Sequence, residues 1–246
     1  MESEYGNNFS MEGFVHMETA VDQLKKGLTA AFIDKGVYSG ESYRPQLILN
    51  NHKLGQKVLT SLETELNNCD EFFISVAFIT MSGIIPLLQT LQELEADGVK
   101  GKIITTDYLS FSEPAALEKL NSFRNIELKF YCAGDRGFHT KGYIFRRGEE
   151  YRIIVGSANL TSNALTRNEE WNTKLVSMEQ GEYTEGIIRR FHELWQDEHT
   201  LPYAEIADKY KGYYTAQKSW QHYTKLAGVA EANNGYIAKL QPNLMQ

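Results

Sequence analysis

Three features of the sequence predict an α/β sandwich with a mixed, largely parallel sheet and a helical extension at its C-terminal side. Short runs rich in β-branched and aromatic residues alternate with amphipathic stretches of helical period. The runs carry apolar residues on both sides of the strand, as strands covered by helices on two faces require. At 246 residues with 42% hydrophobic content, the chain can bury one large core and still carry an appendage.

The elements follow in order. Residues 1–18 form a polar, acidic arm that lacks the pattern of a secretory leader. From Thr19 to Phe32, Val21, Leu24, Leu28, Ala31 and Phe32 repeat at helical spacing, and Pro45 to Leu49 suits a short strand or extended arm. Leu54 to Leu66 reads as a helix with Val58, Leu59, Leu62 and Leu66 on one side. Glu71 to Ile79 is a buried strand. Ser82 to Ala96 is a helix with Pro86 in its first turn and Gly98 beyond its end. Strands at Lys102 to Thr106 and Asn125 to Tyr131 flank a helix at Glu113 to Phe123. A hairpin then joins the segment around Lys141 to Tyr151–Val155 through Arg147-Gly148-Glu149-Glu150. Gly181 to Glu198 is an amphipathic helix, residues 203–225 are rich in tyrosine, and Ala227 to Gly235 reads as a linker.

Composition narrows the function classes. No apolar run is long enough to span a bilayer, so no membrane role is expected. Cys69 and Cys132 are far apart, which argues against a disulfide framework or a cysteine zinc site and for a reducing cytoplasm. The net charge of −7 is unlike that of a stand-alone polyanion binder, but Lys141, Arg146, Arg147, Arg152, Arg167 and Lys174 crowd one region. A local basic cleft is the expectation, with Arg146, Arg167 and Lys174 as candidate phosphate contacts.

That region carries the chemistry. His139 and Lys141 are two apart, so on a strand they share a face. The next strand delivers Ser157 and Asn159 at its end, inside Gly156-Ser157-Ala158-Asn159. An imidazole nucleophile, a fixed cation and neutral donors suit a phosphodiester. His192 and His199 read as packing or surface residues, and the tyrosines of 203–223 as helix packing rather than base-stacking residues.

His-x-Lys followed by Gly-Ser-x-Asn resembles the signature of the phospholipase D superfamily, and Glu170 stands where its nucleases place a glutamate against the histidine. Phe32-Ile33-Asp34, Val76-Ala77-Phe78-Ile79-Thr80, Ile103 to Leu109 and Asn168-Glu169-Glu170-Trp171-Asn172 resemble the phospholipase D-like nuclease domain that precedes a superfamily 2 helicase in certain bacterial proteins. The resemblance implies a nuclease domain over 19–200, a helical extension over 201–240, and the start of a helicase domain at 241–246. It departs from the full His-x-Lys-x4-Asp pattern, because Arg146 occupies the aspartate position. In such proteins that aspartate supports the site from behind, and Asp135 is a candidate substitute.

The implied chemistry uses no metal and no cofactor. His139 attacks phosphorus to give a phosphohistidine. Lys141 and Asn159 hold the non-bridging oxygens, Ser157 adds a hydroxyl, and Glu170 fixes the imidazole tautomer. A second histidine must protonate the leaving oxygen, and the chain has one such motif. The expectation is therefore a homodimer with a composite active site acting on DNA or RNA. A binding and dimerisation module without turnover is the alternative that Arg146 and the acidic charge suggest, and a phospholipid-headgroup enzyme is the third.

Overall fold

The computed structural model describes residues 18–107, 110–132, 134 and 137–233, with the side chains of 221, 222 and 225–233 excepted. The chain divides into two compact units, one ending at Pro45 and one beginning at Gln46.

In the first unit, Thr19 caps helix α1 (Ala20–Leu28) through a reciprocal pair with Asp22, a capping box. One π-helical turn (Thr29–Ile33) and a 3-10 turn (Glu41–Tyr43) follow. Gly27 is required by packing, since a Cβ there would lie 2.5 Å from the Tyr43 carbonyl oxygen.

The second unit is built on one eight-stranded sheet among the described residues. Its strands are β1 (Gln46–Ile48), β2 (Glu71–Val76), β3 (Lys100–Thr106), β4 (Ile126–Tyr131), β5 (Lys141–Arg147), β6 (Glu150–Gly156), β7 (Asn172–Met178) and β8 (Thr200–Pro202). They lie in the order β1-β7-β6-β5-β2-β3-β4-β8. The sheet is mixed as predicted, but only β2–β3 and β3–β4 are parallel pairs. The expected parallel majority fails, because the β1–β7, β7–β6, β6–β5, β5–β2 and β4–β8 pairs are antiparallel. The connection between β5 and β6 is a tight turn with Gly148 at φ 58°, and such a turn can return a strand only antiparallel. The β5–β6 hairpin itself is as predicted.

The two faces of the sheet are covered unequally. One face packs against α2 (Val58–Leu66), α3 (Met81–Ile84), α4 (Leu88–Ala96), α5 (Pro114–Asn121), α6 (Ser162–Thr166) and the start of α8 (Tyr203–Asn233). Phe72, Ile74, Val76, Ile103, Phe130, Tyr143 and Ile154 form its floor. The other face is covered by α7 (Glu182–Gln196), whose Phe191 and Trp195 pack on Phe73, Ile104, Ile144 and Ile153.

Several boundaries moved. The segment 51–56 is a turn closed by an Asn51–Gln56 bridge, so α2 begins at Val58. Pro86 removes a backbone donor, and a 3-10 turn (Ile85–Leu87) separates α3 from α4 instead of one continuous helix. Residues 227–233, expected as a linker, continue α8. Tyr203 and Tyr210 are packed against Phe130, whereas Tyr213, Trp220 and Tyr223 are exposed. Residues 234–246, including the predicted start of a helicase domain, and Asp135 lie outside the described residues.

Candidate active site

Strand register brings the motif pieces to one end of the sheet. Lys141 opens β5 opposite Val76, the last residue of β2, and Gly156 closes β6 opposite Asn172, the first residue of β7. Gly156 is a steric requirement there, since a Cβ would stand 2.3 Å from the Trp171 carbonyl oxygen and 2.4 Å from the Asn172 amide oxygen. The loop 157–161 is clamped against the segment that follows β2. The Leu160 N–H donates to the Phe78 carbonyl at 3.1 Å, and the Thr80 N–H donates to the Leu160 carbonyl at 3.0 Å.

His139 lies just before β5 rather than on it and is exposed. Its position is set from both sides. Phe138 is buried and stacked on Tyr131 with centroids 5.2 Å apart, and Thr140 pairs with β2 through its carbonyl, which accepts the Ala77 N–H at 3.1 Å. The Lys141 ammonium donates to the His139 carbonyl at 2.8 Å, which ties the cation to the histidine's own backbone. Burial holds the Lys141 ammonium below the ordinary lysine range, and the charge of Glu170 opposes that shift.

Asn159 is oriented without ambiguity. Its side-chain oxygen accepts the Phe78 backbone N–H at 3.1 Å, and since a backbone N–H can only donate, the amide NH2 is turned to the other side. Glu170 is buried and accepts a short hydrogen bond from the Ser157 hydroxyl, which itself accepts the Trp171 N–H at 3.1 Å. Ser157 is thus engaged with Glu170, a different geometry from the phosphate-binding hydroxyl read from the sequence.

The candidate phosphate contacts separate. Arg167 is exposed at the end of α6, three residues before Glu170. Lys174 is buried, with its ammonium 2.8 Å from Glu65 of α2 and Arg152 beside the same carboxylate at 3.8 Å. These two cations compensate a buried anion, because an unpaired charge in the core is costly, and Lys174 is held there instead of facing a ligand. Arg146 sits at the opposite end of β5, where its guanidinium donates to the Gly148 carbonyl at 3.2 Å and lies 3.8 Å from Glu71. Five residues of strand, roughly 16 Å, separate it from Lys141. The local basic cleft expected from the sequence is not formed by this set, since Lys174 and Arg152 are held at Glu65 and Arg146 lies at the far end of β5.

Supporting residues that sequence reasoning missed now stand out. The Tyr143 hydroxyl, buried and with its pKa pushed up by that burial and by Glu170, donates to the Ala158 carbonyl at 2.9 Å. The Asn172 side-chain oxygen accepts the Ala158 N–H at 3.1 Å. Asn50 donates to the carbonyls of Ala164 at 2.9 Å and Asn168 at 2.8 Å, anchoring the segment that leads to Glu170. Asn172 lies in the noted 168–172 stretch; Asn50 had no local signal. The other described histidines on and after α7 are held elsewhere, His192 edge-on to Phe73 and His199 with its Nδ1 2.9 Å from Asp197. Among the described residues, no group of three or more His, Cys, Asp or Glu side chains is placed to hold a metal ion, and no helix is long and apolar enough to cross a membrane.

The mixed eight-stranded sheet, with the His-x-Lys and Gly-Ser-x-Asn segments brought to one end of it, is the arrangement of the phospholipase D superfamily. The family model described as "Cardiolipin synthase, PLD-like domain" matches residues 62–195, more than half of the chain, and the chain belongs to this phospholipase D-like family. Among solved structures it is similar to NucT from Helicobacter pylori, with a TM-score of 0.52 and 16% identity over 65% of this chain and 98% of that one. It is similar in the same way to Nuc from Salmonella typhimurium, a phospholipase D family member, with a TM-score of 0.50 and 17% identity over 65% and 99%. A phosphatidylserine synthase from Haemophilus influenzae Rd KW20 matches at 0.50 and 15% identity, over 75% of this chain and 45% of that one. At these identities the likeness is one of fold. No curated protein sequence matches the chain.

Proposed function

We propose that the chain is a metal-independent nuclease that cuts DNA through a phosphohistidine on His139, with an active site completed by a second copy of the chain. The observation that carries this reading is the convergence of Lys141, the Asn159 amide and Glu170 with His139 at one sheet end. A histidine nitrogen attacks phosphorus, and the leaving oxygen takes a proton from the equivalent histidine of the second copy. That histidine then removes a proton from water, which displaces the phosphate from His139. Lys141 and Asn159 offset charge on the non-bridging oxygens. Ser157 and Trp171 fix Glu170 in place, so that its carboxylate balances the charge of the lysine and of a protonated imidazole. RNA would be cut by the same chemistry.

A dimer is supported by the single His-x-Lys motif and by the engagement of His192 and His199 away from the site. The resemblance of residues 76–80 and 168–172 to helicase-associated nuclease domains supports a place beside a superfamily 2 helicase motor.

Cleavage of labelled DNA in excess EDTA tests the reading. Wild type is expected to cut and His139→Ala to lose at least about a thousandfold in rate. Persistent cutting by His139→Ala would end the histidine-nucleophile reading, and dependence on added metal would end the metal-independent one. Light scattering at high concentration is expected to give the mass of a dimer, and a strict monomer would contradict the composite site.

A further inference from the structure

A second cleft opens at the same sheet end as the candidate site, and its polar groups have no part in the chemistry assigned there. It holds about 310 Å³ between the ends of β3 and β4 and the first half of α8. Its floor is apolar, formed by Phe130, Leu201, Ile206 and Tyr210. That floor is held in place, with the Phe130 and Tyr210 rings 4.6 Å apart and the buried Tyr210 hydroxyl donating to the Ser112 carbonyl at 2.7 Å. Asp107, Cys132, Lys209 and Tyr213 complete the lining. A mostly apolar cleft with a few convergent polar groups is the usual form of a site for a small flat ligand.

Register ties this cleft to the candidate site. Thr106 pairs with Tyr131, so Asp107 and Cys132 follow side by side at the ends of β3 and β4. Ser75 pairs with both Ile104 and Gly142, and the Ala77 N–H donates to the Thr140 carbonyl, which carries the same row through Phe78 to His139. Two strand spacings, roughly 10 Å, separate β5 from β3. Alternation sets the face. Lys141 shares a side of β5 with Tyr143 and Phe145, Asp107 continues the side of Ile103, and Cys132 packs with Phe130, all on the face that carries the larger core. The cleft therefore opens on the same edge and the same face as the lysine assigned to phosphate.

Asp107 and Lys209 bring opposite charges to this apolar cleft. The Cys132 thiol registers both, since burial and the charge of Asp107 push its pKa up and the charge of Lys209 opposes them. An ionised carboxylate accepts at about four lone-pair sites, so the 3.3 Å bond from the Thr106 hydroxyl to Asp107 does not preclude a ligand. Tyr213, read from the sequence as helix packing, is 51% exposed at the rim. An anion takes N–H groups from a ligand edge, a cation donates to a carbonyl oxygen, and an exposed ring stacks on a flat body. Guanine alone among the common bases carries two adjacent N–H donors beside a carbonyl on its pairing edge. Adenine and cytosine carry an amino group only. Thymine and uracil carry one N–H between two carbonyls, which a carboxylate repels.

We infer that this cleft is a subsite for one unpaired guanine on the strand whose phosphate lies at His139. Asp107 accepts the two N–H groups of the guanine edge, Lys209 donates to its carbonyl oxygen, and Tyr213 stacks on its ring. The inference rests on the phosphodiesterase reading and adds a base preference to it. In a duplex the same edge is taken by cytosine, so a paired guanine cannot enter without leaving its stack.

The test measures binding by fluorescence anisotropy in a His139→Ala background, with labelled thymine strands that carry a single guanine, adenine or cytosine. The guanine strand is expected to bind about tenfold more tightly than the all-thymine strand, the scale of one bidentate contact, and the adenine and cytosine strands no more than about threefold. Inosine, which lacks only the amino group of guanine and changes no protein residue, should fall between guanine and thymine. Asp107→Ala should bring the guanine strand to the thymine level and leave thymine binding unchanged, a selective loss that a damaged fold does not give. Tyr213→Ala should weaken the guanine strand about tenfold, and Tyr213→Phe should restore it. Annealing the complement should abolish the gain, and guanosine monophosphate should compete only far above the concentration of the strand itself. Equal binding of all strands, or a guanine preference that survives in Asp107→Ala or in the duplex, would overturn the inference. Competition by guanosine monophosphate at the strand's own concentration would also overturn it, by making the cleft a site for free nucleotides. Cleavage of the guanine strand by wild type should fall at a fixed distance from the guanine, and cuts unrelated to its position would detach the cleft from the site. Hydrolysis of methyl p-nitrophenyl phosphate, which offers no base, reports on the phosphodiesterase reading separately. Its failure beside guanine-dependent binding would count against the chemistry and not the subsite.

Discussion

The two ends of strand β5 carry the two halves of one sequence motif and live in different chemical worlds. At the first end, Lys141 is half-buried, tied to the His139 carbonyl and influenced by a buried carboxylate. At the other, Arg146 is partly exposed beside Glu71 and the β5–β6 turn, with Asp70 accepting the Gly148 N–H at 2.6 Å. The difference teaches that the motif is a unit in sequence but not in space. On the proposed reading the lysine belongs to the chemistry, whereas the position where the signature has aspartate lies at the turn. Arginine in that place therefore bears on the turn.

The comparison can be broken most severely at the first end. Lys141→Ala should lower the rate of diester cleavage by about 10²–10³, the scale of one lost electrostatic contact to the reacting oxygens. Single-turnover kinetics would read it, and a loss below about threefold would remove Lys141 from the chemistry. Glu170→Gln should cost less, about 10–100-fold, and should also move the pH profile. Lys141 must stay charged to act. Burial already holds it below the ordinary lysine value of 10.5, and Glu170 opposes that shift. The alkaline limb should therefore lie below 10.5 in wild type and fall further when the glutamate charge is removed. A limb that stays put in the variant would show that another group sets it.

Smaller effects belong to the turn end. Asp70→Ala removes the acceptor of the Gly148 N–H and should cost about 1 kcal/mol of stability in a denaturant titration, with no separate change in catalysis. Arg146→Asp, which restores the signature residue, should change the rate by less than about twofold, since surface ion pairs such as Arg146–Glu71 contribute little. A gain of tenfold or more in that variant would mean that the two ends are coupled.

What the sequence made legible follows the range of the interactions. The strands at Glu71–Val76 and Ile126–Tyr131 could be read because their apolar runs are local, and the β5–β6 hairpin because its turn is. His139, Lys141, Asn159 and Glu170 could be grouped because register across one hairpin and its next strand brings them together. The assignment of Lys174 to a phosphate could not survive, because its partner Glu65 lies 109 residues away and no local pattern announces a buried ion pair. Asn50 was invisible for the same reason, acting across more than a hundred residues on the 164–168 segment.

The central claim is that His139 becomes covalently attached to phosphorus. Rapid quenching of wild type with labelled DNA in EDTA, followed by mass spectrometry of the peptide containing His139 under conditions that spare phosphoramidates, measures this directly. A mass increase matching the transferred phosphate fragment, located on His139 and absent in His139→Ala, is the predicted result. Efficient cleavage with no adduct on any histidine at any time point would contradict it.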